Sequence, residues 1–175
     1  MKFSIDNSIE ILSTTPFVLE ALLSQLSSDW INNNEGENTW SPIEIVIHLI
    51  NGEKTNWVPR MNIILSDIQD KAFDAFVRME ENETTNKKNI TNLLNEFKEI
   101  RFKNIAVLKS KHLNSGLLKK TGIHPAFGQV ILSQLIATWT LHDLNHLSQI
   151  SRVLAKQYQD EVGPWKQFLP ILGNK

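Results

Sequence analysis

His142 and His146 stand four residues apart in a stretch that reads as helix, so both imidazoles leave one face, a turn apart. That is the interval at which a helix offers two nitrogens to a single metal ion. The pair shares its stripe with Leu132, Leu135, Trp139, Gln149 and Val153, which marks the face as directed to the core. A neutral imidazole buried there carries polar nitrogens, and one left unpaired costs about 1–3 kcal/mol. A metal ion would satisfy one nitrogen on each ring. His48 lies in the same way on the apolar face of an earlier helix, in line with Ile45, Leu49 and Gly52. A third imidazole converging from a facing helix would complete a three-histidine site with positions left for water or substrate. Spacing alone leaves a second reading open: three separate core histidines, each hydrogen-bonded to a neighbour. His112, beside Lys109 and Lys111 near a helix end, reads as a solvated cation against the helix dipole. His124, in a Gly-Ile-His-Pro-Ala-Phe-Gly turn, reads as a loop-stabilising hydrogen bond. Neither is a ligand candidate.

The elements that must position these side chains read as helices throughout. The first spans about Ser8 to Leu26, with Ile11, Leu12, Leu19, Leu22, Leu23 and Leu26 at helical spacing. Pro16 predicts a kink or a restart within it. Polar residues from Asn32 to Asn38 form a loop. Ser41-Pro42-Ile43-Glu44 then combines a serine cap, a proline at the first helical position and a glutamate three residues on, the signature of a capping box. Pro59 limits that second helix, and a shorter piece from Arg60 to Ser66 follows. Asp67 to Glu83 reads as a long connection. The third helix runs from about Thr85 to Leu113 with Ile90, Leu93, Leu94, Phe97, Ile100, Ile105 and Leu108 buried. Gly116, Gly122, Pro125 and Gly128 punctuate the next loop, and the fourth helix covers about Gln129 to Gln157. No alternating strand pattern is apparent. An all-α four-helix bundle with one long crossover connection, forming a single domain over residues 1–175, is the expected fold.

Composition narrows the chemistry. With 41% hydrophobic and 21% charged residues, a net charge of −1 and no basic cluster beyond a pair, the chain has the make-up of a soluble globule and not of a nucleic-acid binder. No apolar run has the length of a membrane span, and the N-terminus lacks the apolar centre of a signal peptide, so neither a membrane nor a nucleic-acid partner is expected and the cytoplasm is the expected address. There is no cysteine, which removes thiolate ligands and a protein thiol nucleophile. Any metal must be held by imidazole or carboxylate. Around the histidines, Glu44 and Gln149 are placed to orient an imidazole, with the helix cap and a hydrogen bond across the core as their plainer roles. Asp143 points about 100° away from His142 round the helix and is expected to meet a different ring, a backbone group or the loop. Glu53 and Trp57 are expected at the pocket mouth, and Trp40 and Trp139 in the core.

Two segments carry a family resemblance. Thr39-Trp40-Ser41-Pro42-Ile43-Glu44 through His48-Leu49 resembles the opening of the second helix in the DinB-like (DinB/YfiT) superfamily. Trp139-Thr140-Leu141-His142-Asp143-Leu144-Asn145-His146, continuing to Gln149-Ile150-Ser151-Arg152, resembles that family's fourth-helix motif. His124-Pro125-Ala126-Phe127-Gly128 and Val162-Gly163-Pro164-Trp165 are similar to further parts of it, so the likeness runs over nearly the whole chain. The resemblance implies a four-helix bundle of DinB/YfiT type, often a homodimer, with one divalent metal ion on His48, His142 and His146. It also implies metal-dependent chemistry of the kind seen in bacillithiol S-transferase-like and mycothiol-dependent members. Three neutral imidazoles leave the ion's positive charge uncompensated, which favours a bound water or a small-molecule thiol in its anionic, nucleophilic form. Imidazole ligands favour Zn or Ni, with Fe or Mn behind them. The expected function is therefore a metal-dependent enzyme acting on a small-molecule thiol or another small substrate, as a transferase or a hydrolase. A non-catalytic metal-binding or stress-response module is the alternative, and a metal-free helical interaction domain the third.

Overall fold

The computed structural model describes residues 1–76 and 89–173. Among the described residues the regular structure is six α-helices and one hairpin: α1 (Ile5–Leu23), α2 (Ser28–Asn32), α3 (Pro42–Thr55), α4 (Trp57–Leu65), α5 (Ile90–Ser110), β1 (Thr121–His124), β2 (Gly128–Ile131) and α6 (Leu132–Lys156). Short 3-10 turns follow α5 and close the chain. Helices α1, α3, α5 and α6 form a four-helix bundle, and α4 continues α3 along the same side.

Local chemistry explains most of the helix ends. The Ser4 hydroxyl caps α1 by accepting from the Asn7 N–H at 3.5 Å. At α3 the expected capping box is present, with Glu44 Oε2 accepting from the Ser41 N–H at 2.6 Å. Asn89 caps α5 by accepting from the Thr91 N–H at 2.8 Å, so the described part of this helix starts at Ile90. The expected start at Thr85 lies outside the described residues, as does the 77–83 portion of the expected connection. Helix α4 begins at Trp57, three residues before the expected Arg60, because Pro59 falls in its first turn, where a proline lacks no needed donor.

Of the kink or restart expected at Pro16, the restart does not occur: α1 is continuous from Ile5 to Leu23. A proline at that position removes the N–H that would bond the Leu12 carbonyl four residues back. The buried Arg101 guanidinium supplies the missing donor, its Nη1 lying 3.0 Å from the Leu12 oxygen. Tertiary structure has repaired what the sequence broke.

A second correction concerns strands. Residues 121–131 form an antiparallel hairpin, with Thr121 opposite Ile131 and His124 opposite Gly128. Its β1 edge also pairs with the connection after α4, through Phe73 N–H to the Ile123 oxygen and Ile123 N–H to the Lys71 oxygen, both at 2.9 Å. Four-residue strands are too short to show alternation, which is why the pattern was invisible. Because β2 takes residues 128–131, α6 begins at Leu132 and not at Gln129. Gly122 is required by packing: a Cβ there would sit 2.5 Å from the Phe73 ring.

The apolar interior falls into two clusters, one around Leu19, Ile45, Leu93, Phe97 and Ile150, the other around Leu12, Met61, Ile105, Leu132 and Trp139. Between them runs a belt of buried polar side chains contributed by the bundle helices. The histidines lie in this belt.

Candidate metal centre

Each imidazole reaches the belt by a simple route. The α3 cap sets the helix so that Ile45 and Leu49 face the core, and His48 on the adjoining flank faces α6. On α6 the core stripe runs through Ile136, Trp139, Asp143, His146 and Ile150, with His142 beside it. His48 Nε2 lies 3.1 Å from His142 Nε2, and His146 Nε2 lies 3.2 Å from the same atom. The three candidate ligand atoms fall within 4.8 Å of one another. His48 and His142 are half-buried and His146 is buried, so the cluster is reachable from outside yet walled on most sides.

The arrangement fits a cation better than it fits itself. Four ligands at about 2.0–2.1 Å around one ion sit roughly 3.3 Å apart, close to the spacings seen. Gln149 Oε1 accepts from His146 Nδ1–H at 2.8 Å, which leaves Nε2 of that ring without a proton. His142 Nδ1 is buried and has no hydrogen-bond partner. Burial, reinforced by the neighbouring His146 and His48 and by Arg101, lowers the His142 pKa to about 3. Burial also lowers His146, partly offset by its Gln149 hydrogen bond and by Asp143. These rings are thus held neutral, the form that ligates metal.

Aromatic rings enclose the cluster. Trp40 lies with its centroid 4.7 Å from His48 and 6.1 Å from His146. It therefore covers the histidines, beyond the core packing expected of it. Trp57 meets His142 edge-on at 5.1 Å and stacks on Trp139 at 6.0 Å, and Phe76 meets His48 at 5.5 Å. The loop that carries Trp40 is tied to α6 by Arg152, whose guanidinium donates to both Glu35 carboxylate oxygens. That pairing lowers the Glu35 pKa.

Other expectations resolve as follows. Gln149 orients His146, while Glu44 is held in the cap. His124 Nδ1 accepts from the Ala126 N–H at 3.1 Å within the hairpin turn, and His112 ends α5 at a positive φ of 45°; both stand outside the cluster. Asp143 and Glu53 differ from expectation. Asp143 meets neither a ring nor the loop: it is fully buried and forms a two-pronged ion pair with Arg101. Glu53 is not at a pocket mouth but 2% exposed, accepting from Arg101 Nη2 at 2.8 Å, Trp139 Nε1 at 2.8 Å and Asn104 Nδ2 at 2.9 Å. Arg101 itself, 0% exposed between the rings of Phe97 and Trp139, was not singled out in the sequence. Its signal was there: a lone arginine four residues from both Phe97 and Ile105, on the buried stripe of α5.

Fold and site together define a four-helix bundle with a three-imidazole cluster able to hold a divalent metal ion. The chain belongs to the DinB superfamily, whose sequence model matches residues 11–150. Among solved structures it is similar to YfiT from Bacillus subtilis, described as a probable metal-dependent hydrolase with an unusual four-helix bundle topology. The identity is 15%, the match covers 89% of this chain and 90% of that one, and the TM-score is 0.75, which establishes the shared fold. No curated protein matches the sequence.

Proposed function

We propose that His48, His142 and His146 bind one divalent metal ion through their Nε2 atoms and that the chain is a metal-dependent enzyme. The observation that carries this reading is the meeting of three Nε2 atoms from two helices, with an inter-nitrogen spacing that suits a common ion. An ion bound there would supply the positive charge that makes a water, or a small-molecule thiol, nucleophilic near neutral pH. The chain's own residues do the rest. Gln149 fixes the tautomer and plane of His146. Trp40 and Trp57 flank the rings and exclude bulk water from them. Asp143 acts on His146 in the sense that favours a cation there, while Arg101 acts against one at His142.

The nucleophile divides the reading. Transfer of a small-molecule thiol to an electrophile is supported by the motif resemblance; attack by water is supported by the description of YfiT as a probable metal-dependent hydrolase. Zn or Ni suits three imidazoles best, followed by Fe or Mn. We place the protein in the cytoplasm as a homodimer; exposed Leu141 and Leu144 on α6 and exposed Trp165 and Phe168 near the C-terminus offer apolar surface for the second copy.

Elemental analysis of the purified protein beside its His142→Ala variant tests the site. About one ion per chain in the native protein and almost none in the variant is expected; equal metal content in both would overturn the reading. Thiol transfer to chlorinated aromatics and hydrolysis of activated esters, each with Zn and with Ni, then separate the two nucleophiles. Inactivity in both assays, together with unfolding on chelation, would instead support a structural metal module.

A further inference from the structure

A cavity of about 250 Å³ opens directly behind the aromatic wall of the histidine cluster. Its lining includes the rings of Trp57, Phe73, Phe76 and Phe127. Two of these are shared with the cluster, since Trp57 packs on His142 at 5.1 Å and Phe76 on His48 at 5.5 Å. A molecule held in the cavity is therefore one ring's thickness from the imidazoles. The volume lies below that of a drug-sized pocket and suits a ligand of a single ring.

Polar side chains interrupt this lining, among them Arg60, Asn56, Gln134 and Thr138. Arg60 is 8% exposed, covers the Phe73 ring at 5.2 Å, and gives one hydrogen bond to the Asp74 carbonyl at 3.0 Å. A guanidinium carries five N–H donors, so several remain for a ligand. Among the described residues no carboxylate lies within ion-pair distance of it. Asn56, at the same wall, has a buried Oδ1 with no hydrogen-bond partner. Burial lowers the Arg60 pKa and the charge of Asp74 offsets this in part; with no ion pair formed among the described residues, a bound anion would relieve the remaining cost. Phe127, 78% exposed at the hairpin tip and stacked on His124 at 4.5 Å, forms the rim.

We infer that this cavity is a binding site for a one-ring aromatic compound bearing an anionic substituent, the ring between the aromatic walls and the anion on Arg60. Any reaction of that compound rests on the metal centre proposed above; the binding does not, because none of the three histidines lines the cavity.

Benzoate and its neutral isostere benzamide are the probes, followed by NMR shifts of backbone and tryptophan indole signals at millimolar concentrations. The native protein and the metal-free His142→Ala variant are both titrated, so a failure of the metal reading leaves this measurement standing. Saturable benzoate binding in both proteins, at least about tenfold tighter than benzamide, is expected. Arg60→Met should bring benzoate down to the benzamide level, Arg60→Lys should keep part of the preference, and Phe127→Ala should weaken both ligands. Absence of saturable binding, or an equal preference for benzamide, overturns the inference. So does a benzoate affinity that survives in folded Arg60→Met, folding being read from the dispersion of the same spectra.

Discussion

Two polar clusters lie side by side in the belt between the apolar halves of the bundle, and burial acts on them in opposite ways. Around Arg101 charge meets opposite charge: Asp143 and Glu53 take the guanidinium, Asn104 and Trp139 complete Glu53, and the Leu12 carbonyl accepts a further Nη1 donor, while the buried Nε–H has no partner among the described residues. Burial by itself would weaken the guanidinium charge, but the hydrogen bonds and charge of Asp143, with Glu53 behind it, outweigh that and hold the Arg101 pKa above its ordinary value. This cluster joins α1, α3, α5 and α6, and its charges are paired within it. At the histidines the same burial leaves groups unanswered: nitrogens face nitrogens, His142 Nδ1 has no partner, and the rings are driven neutral. A cluster whose charges pair with one another reads as architecture, and one whose nitrogens face one another as a place where something binds.

The largest expected effect breaks the first half of that contrast. Arg101→Met leaves two carboxylates buried without their cation and frees the Leu12 carbonyl. It should cost about 3–5 kcal/mol in denaturant unfolding, well beyond the cost of His142→Ala measured without metal. Equal losses would show that the two clusters do not differ as argued.

Next comes pH. In metal-free protein His142 holds no proton until about pH 3, whereas in the unfolded chain it titrates near its ordinary value of 6.5. Between those values the unfolded chain binds a proton that the folded chain refuses. Stability should therefore be unaffected by this group above about pH 6.5 and fall by several kcal/mol as pH drops towards 3. Urea midpoints across that range, with His142→Ala losing most of the slope, are the check. A variant whose profile matches the native one would refute the assignment to His142.

Gln149→Leu sharpens the second half. Removing the acceptor of His146 Nδ1–H should lower Zn affinity by about 10- to 100-fold in calorimetric titration while the metal-free fold is preserved. Undiminished affinity would mean that Gln149 does not orient the ring.

The smallest effect probes the join between α1 and the Arg101 cluster. Pro16→Ala restores an N–H that competes for the Leu12 carbonyl, so combining it with Arg101→Met should recover about 1 kcal/mol of the single-variant loss. A strictly additive double-mutant cycle would deny the link.

Much of this was legible in the residues. Helical periodicity marked the four long helices, the Ser41–Glu44 pattern marked the start of α3, and His142 and His146 at one-turn spacing announced a shared face. Their agreement with His48 rested on its place in the α3 stripe and on the motif resemblance. The hairpin escaped because its strands are four residues long, and the roles of Glu53 and Asp143 escaped because a carboxylate on a helix carries no mark of its partner. Arg101 was visible only as an anomaly in an apolar stripe.

By itself the amino-acid order determined which residues share a helix face, since that depends on a period of 3.6 residues and on local caps and breakers alone. Which faces meet was decided in three dimensions. The arginine 42 residues before Asp143 and 48 after Glu53 finds both only when α3, α5 and α6 pack together. The same packing lets α1 continue through Pro16 and brings His48 within hydrogen-bonding distance of a ring 94 residues away. Contacts so remote in sequence are governed by how the helices' apolar stripes fit together as the bundle closes, and no window along the chain contains them.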